Sequence, residues 1–206
     1  MPAVRRSGVA GKVSLPAPAK LELRLDECLK KRRSVREYSE APLKLEELAA
    51  LLWAAQGITS PGGLRTAPSA GAIYPVKGYV LAFRVQGLAA GFYGFDPEQQ
   101  ALAPLSKGDK QARMVKVCGD QQCVEECAAG LLLTAWYGRL RREFGEAAER
   151  LALMEAGHIG QNWHLAAAAL GLGSVSVGKL DAAAVKLLLP VPEDEHPLYF
   201  LVAGRV

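Results

Sequence analysis

The chain has 206 residues, of which 50% are apolar, 22% charged and 7% aromatic, enough to bury a core and too apolar for wholesale disorder or a disulfide-stapled mini-protein. Its net charge of +4 is too mild to indicate nucleic acid. The uncharged run from Ala156 to Gly178 is broken by Gln161, Asn162, His158, His164 and several glycines, so no membrane span is expected.

Residues 1–20 are rich in Pro, Ala, Ser and Gly and read as an extended arm, with 21–206 as a single domain. Arg5, Arg6 and Lys12 are not followed by an apolar signal-peptide core, which gives a cytoplasmic address. Asp26 opens a short helix that ends in the basic cluster Lys30 to Arg33. Lys44 to Gln56 carries Leu45, Leu48, Leu51, Leu52 and Ala55 at helical spacing, with Gly57 as its stop. Two loops follow, Thr59 to Gly63 and Thr66 to Pro75. Lys77 to Gln86, Gly91 to Asp96 and Ala101 to Leu105 have strand character between turn signals and read as an antiparallel meander.

Asp109 to Ala129 returns to helical spacing, and Leu131 to Trp136 is an apolar run suited to a central strand. Glu146 to Leu170 reads as one long helix, on which Ala156, Gly157 and Gly160 would let a second helix approach closely. Ser174 to Val177 is a short strand, Asp181 caps a helix through Leu189, and Pro197 to Ala203 closes the chain as a strand. Strands and helices in runs, without strict alternation, predict an α+β fold.

Cys28, Cys118, Cys123 and Cys127 form no Cys-x-x-Cys pair and read as reduced thiols without a metal. His158, His164 and His196 read as structural. Neither a phosphate-binding loop with its lysine nor a nucleophile elbow occurs, which disfavours hydrolase chemistry. Three segments carry chemistry instead. Arg32-Arg33-Ser34-Val35-Arg36 offers guanidinium forks and a hydroxyl to a phosphate, or else a solvated basic face at a helix end. Thr66 to Pro75 has small residues between stiffening prolines, suited to a flat ligand or a partner subunit, or to a plain tight loop. Gly171 to Lys179 leads from a helix stop into a strand ending in glycine, where a main-chain amide can face a ligand ring, or where turn chemistry alone suffices.

In this order and spacing, the three segments resemble the FMN-dependent nitroreductase family, and more closely its SagB-type dehydrogenase branch. Leu15-Pro16-Ala17-Pro18, Leu51 to Gly57, the Gln121 region, Glu155 to Asn162, Leu170 to Gly173 and the final Gly204-Arg205 extend the resemblance over nearly the whole chain.

The resemblance implies a nitroreductase-like fold. Its mostly antiparallel sheet is flanked by helices, with a long helix at the core of a homodimer that binds FMN at the subunit interface. It implies NADH or NADPH as donor, a small-molecule acceptor, no nucleic acid and no membrane partner. Arg32, Arg33, Ser34 and Arg36 match the element that holds the FMN phosphate and ribityl chain, and Arg205 joins them. Pro68, Ser69, Ala70 and Gly71 match the loop that the other subunit lays along the flavin. Ser176, Val177 and Gly178 match the strand end beside the ring, where the Gly178 N–H would face flavin N5. No catalytic side chain is implied, because the hydride passes through the flavin. Many nitroreductases carry Glu where Gly178 stands. The alternatives are an azoline dehydrogenase of the SagB type, whose Lys and Tyr pair has here only Tyr74 and Lys179 to match it, and a catalytically degenerate flavin-binding subunit.

Overall fold

The computed structural model describes residues 11–206. A seven-stranded, wholly antiparallel sheet forms its centre: β1 (Val13–Ser14), β2 (Val76–Ala82), β3 (Gly91–Asp96), β4 (Ala101–Lys107), β5 (Ala129–Trp136), β6 (Leu172–Val177) and β7 (Glu195–Arg205), in the order β1-β4-β3-β2-β5-β7-β6. The meander β2-β3-β4 is as the sequence predicts. Pro104 fits within β4 because the register shifts between Phe92 and Tyr93, next to the Tyr93–Pro104 pair, and Pro197 sits at a second irregularity opposite Thr134.

The helices are α1 (Leu25–Lys31), α2 (Leu45–Gln56), α3 (Gln111–Val117), α4 (Gln122–Glu126), α5 (Tyr137–Phe144), α6 (Ala148–Ala169) and α7 (Ala182–Leu188). Leu131, Leu133 and Ala135 join the core beneath α2 and α6, while Leu132 joins the opposite core formed with α3, α4 and α7. Because both faces of β5 are covered, its sequence is a continuous apolar run without alternation. Glu146 to Leu170 contains α6, preceded by a 3-10 turn at Gly145–Ala147.

Two helical assignments differ from the sequence reading. The segment Asp109 to Ala129 is not one helix: Gly119 (φ 71°) and Asp120 (φ 58°) are left-handed, which separates α3 from α4 before Ala129 opens β5. The helix α5, directly after β5, has no counterpart in the sequence reading. Among the described residues no helix is long and apolar enough to cross a membrane, and the four cysteines are buried and free.

One carboxylate lies wholly inside. Glu195, 1% exposed, accepts bonds from Lys77 Nζ at 2.6 Å, Tyr79 Oη at 2.8 Å and Thr134 Oγ1 at 2.6 Å, tying the starts of β2 and β7 to the end of β5.

Candidate functional site

The basic element docks on the outer edge of β6. Ser34 bridges Ser174 in parallel register, and Val35 N–H donates to Ser174 O at 3.0 Å. What lets it lie so close is a pair of glycines facing each other across β6 and β7, Gly173 and Gly204. A Cβ on Gly204 would stand 2.8–2.9 Å from Tyr38 atoms, and one on Gly173 would stand 2.8 Å from Val35. The Tyr38 ring thus rests on bare backbone, and its hydroxyl donates to Val35 O at 2.6 Å, closing the turn that carries Arg36.

The cations of this element differ in freedom. Arg33 spends one nitrogen on the carbonyls of Lys30 and Arg32, at 3.0 and 2.7 Å, and Arg36 has only a 3.4 Å contact with Ser34 O. The Arg32 guanidinium makes no hydrogen bond or ion pair among the described residues, although its main chain bonds Cys28 O and Arg33. Arg205 is already engaged: its guanidinium binds both carboxylate oxygens of Glu47 at 2.8 Å, while Glu47 also accepts the Lys44 N–H at the start of α2.

The serines of β6 have a partner that the sequence reading left aside. His164 on α6 bonds Ser174 Oγ through Nδ1 at 2.8 Å and Ser176 Oγ through Nε2 at 2.6 Å. Alternate residues of a strand share a face, so the histidine reads as structural yet touches a candidate site residue. Burial, reinforced by the Arg32 charge, lowers its pKa to about 4. The folded state therefore refuses a proton that the unfolded chain accepts below about pH 6.5, and stability is lost as pH falls from there toward 4. Replacing His164 by Gln should remove about 2 kcal/mol of that acid-dependent loss, measured as urea midpoints at pH 7 and pH 4.5. Parallel midpoint shifts in both proteins would contradict it.

The second candidate group is the loop before β2. Gly71, Ala72 and Tyr74 all have positive φ (58°, 52° and 52°), which for the two non-glycine residues costs about 1 to 3 kcal/mol each and persists only where the surroundings hold it. Three contacts do so. Ser69 Oγ accepts the Tyr74 N–H at 2.9 Å, Arg65 N–H donates to Tyr74 Oη at 3.1 Å, and the Arg65 guanidinium lies 4.7 Å above the Tyr74 ring. Beneath the loop, Glu155 on α6 accepts the Val76 N–H at 3.4 Å and lies beside the Ser69 hydroxyl; burial raises its pKa to about 7.

Within one chain the two groups sit apart, since β2 and β6 are three strand positions from each other, about 14 Å. Between them α6 turns Leu153, Met154, Gly157, His158 and Gln161 outward. Of the small residues singled out for close helix approach, only Gly157 is on that face. Ala156 is 3% exposed, and a Cβ on Gly160 would meet Leu201 at 3.4 Å and Ser176 Oγ at 4.0 Å, so both pack inward against their own chain. An apolar groove of about 360 Å³ between α1, α2 and α6, lined by Leu25, Cys28, Trp53 and Leu165 among others, adjoins this face. Gly178 is exposed, with only Tyr199 within 4 Å of the position a Cβ would take.

The chain thus joins an antiparallel sheet to a long helix across one face and a basic segment seated on its edge strand. The model of the nitroreductase family matches residues 29–205. A nitroreductase-named protein of Methanocaldococcus jannaschii is 37% identical over 184 residues, 89% of this chain and 92% of its own length. The chain belongs to the nitroreductase family. Among solved structures, a nitroreductase-named protein of Anabaena variabilis superposes with a TM-score of 0.84 at 28% identity, covering 94% of this chain; the chain spans only 41% of that protein. The NADPH:FMN oxidoreductase of Vibrio harveyi shares the fold, with a TM-score of 0.63 at 22% identity over 88% of this chain and 68% of its own.

Proposed function

We propose that the protein is an FMN-dependent NAD(P)H oxidoreductase, acting as a homodimer on a small organic acceptor. The observation that carries this reading is the seating of Arg32 to Arg36 on β6, which presents an uncommitted guanidinium and the Ser34 hydroxyl beside the strand that ends in Ser176, Val177 and Gly178. The donor set fits a phosphate: Arg32 and Arg36 keep most of their N–H groups for a ligand, and charge-assisted bonds of this kind are the strong ones. Arg205 would have to share its charge with Glu47, so it serves as a secondary phosphate contact. The exposed Gly178 backbone suits close approach of a flat ring.

Bound there, FMN supplies hydride transfer between a nicotinamide donor and the acceptor. The chain's own residues neutralise the phosphate through Arg32, Arg33 and Arg36, offer main-chain donors at Ser176 to Gly178, and lay Pro68, Ser69, Ala70 and Gly71 against the flavin of the opposite subunit. The distance between the two groups within one chain, and the outward apolar face of α6, support a site completed by a two-fold partner. A requirement for NADH or NADPH implies a cytoplasmic place. The arm read over residues 1–20 lies in part outside the described residues; within them Val13 and Ser14 pair with β4, so this stretch joins the sheet of the domain read over 21–206.

The SagB-type branch rests on the order of the sequence motifs. Azoline oxidation within that branch is the weaker reading, because Tyr74 Oη is tied to Arg65 N–H in the loop before β2, while Lys179 follows β6, three strand positions away within one chain.

A visible absorption spectrum of the purified protein tests the flavin. Replacing Arg32 or Arg36 by Ala should each weaken FMN binding by about 1.5 to 3 kcal/mol, read by fluorescence titration; unchanged affinity in both variants would overturn the assignment. Anaerobic bleaching by NADH or NADPH separates an active enzyme from a subunit that only binds flavin.

A further inference from the structure

Glu155 belongs to α6, yet the groups that bond its carboxyl belong to the loop and strand beneath which it lies. The side chain is 3% exposed. It accepts the Val76 N–H at 3.4 Å and lies beside the Ser69 hydroxyl, whose Oγ in turn accepts the Tyr74 N–H at 2.9 Å. A single buried carboxyl thereby sits under the strained stretch from Ser69 to Tyr74, beside its first residue and bonded to the strand that follows it. We propose that Glu155 is a positioning residue, a latch whose neutral carboxyl holds the Pro68–Gly71 loop on α6 and releases it on ionisation.

The argument compares the two states of the loop. With the loop seated, Ser69, the Val76 N–H and the Arg65 guanidinium all favour the charged form of Glu155. Burial outweighs them and keeps the proton on up to about pH 7. Arg65 is the one charged group among the described residues whose field acts on this carboxyl, and its Nε is buried without a hydrogen-bond partner, so it is not closed into an ion pair there. With the loop lifted, water reaches the carboxyl and its pKa returns to the ordinary range, about 4.3. Opening therefore releases a proton between these two values. The seated loop is most favoured in acid and loosens as pH rises toward 7, by up to about tenfold per pH unit.

The link from loop to flavin affinity rests on the flavin reading proposed above; the latch itself does not. The test is amide hydrogen exchange of residues 69–74 in the flavin-free full chain between about pH 5 and 8, with intrinsic exchange rates divided out, followed by FMN titration over the same range. In the unmodified protein, protection of the Tyr74 amide should fall by up to about tenfold per unit to about pH 7 and then level off. Glu155→Gln keeps an acceptor for Val76 N–H and cannot ionise, so its protection should stay flat, whereas Ser69→Ala should show low protection throughout. FMN affinity should follow the same profiles. Protection independent of pH in the unmodified chain, or a slope that survives in Glu155→Gln, would overturn the latch even if FMN binds well. The expected protection profiles without any FMN binding would leave the latch standing and remove the flavin reading.

Discussion

Replacing Glu195 by Ala is expected to lower the free energy of unfolding by about 3 to 5 kcal/mol, among the largest losses available in this chain. The side chain satisfies three donors at once, and two of them, Thr134 and Tyr79, are buried hydroxyls with no water to turn to. Each buried polar group left unpaired costs about 1 to 3 kcal/mol. The third donor differs, since the Lys77 side chain is 54% exposed and its ammonium returns to solvent once the carboxylate is gone. Adding Lys77→Met to Glu195→Ala should therefore change stability by no more than about 0.5 kcal/mol, whereas Lys77→Met alone, which strands a buried carboxylate, should cost about 1 to 3 kcal/mol. Urea midpoints at constant m-value measure all three variants. Strictly additive losses would mean that the ammonium and the carboxylate do not act as a pair.

Gly204→Val should be comparably damaging, and it should reach the candidate site as well as the core. The added side chain would begin 2.8–2.9 Å from the Tyr38 ring and Cβ, closer than packed atoms come, and its remaining atoms have nowhere to go between Tyr38 and the strand. Overpacking of this kind costs about 3 kcal/mol. Relief requires Tyr38 to rise, and Val35, held by the Tyr38 hydroxyl, rises with it. Arg36 and the Ser34 bridge are then displaced from β6, so FMN affinity should fall together with the melting temperature. Gly62→Ala, where a Cβ meets only Ser60 Oγ at 3.8 Å, is the matched control and should leave both unchanged. A Gly204→Val protein that melts early yet binds FMN normally would separate the seat from the site.

Much of the fold can be read in the residues because its elements are strongly patterned. The leucine spacing of α2 and the meander of β2 to β4 are local signals, and the structure follows them. The break between α3 and α4 is hidden because the apolar spacing continues across Gly119 and Asp120, and only the backbone angles there end the helix. The helix α5 is hidden for a different reason: Tyr137 continues the aromatic end of β5, and the change from strand to helix falls between neighbouring aromatics. At the site, the basic element and the serines of β6 stand out in sequence, since each is a short run with its own chemistry. Their partners do not. Glu155 is 79 residues from Val76, and Glu47 is 158 from Arg205, so no spacing rule joins them. Spacing likewise cannot tell which side of α6 is covered by the sheet, which is why Ala156 and Gly160 turn inward and Gly157 does not.

The seating of Ser34 and Val35 on β6 also bears on how the sheet ends. A sheet has two borders whose unpaired amides and carbonyls can recruit another chain. At one border β1 is only two residues long, too short a template to extend. At the other, β6 is six residues long, and the segment that presents Arg32 and Arg36 meets its outer row at Ser174. In the reading proposed above, the same stretch of chain is both the ligand's handhold and a guard of an otherwise adhesive rim. A change that loosens it would then weaken recognition and at the same moment bare a border on which copies of the protein can stack.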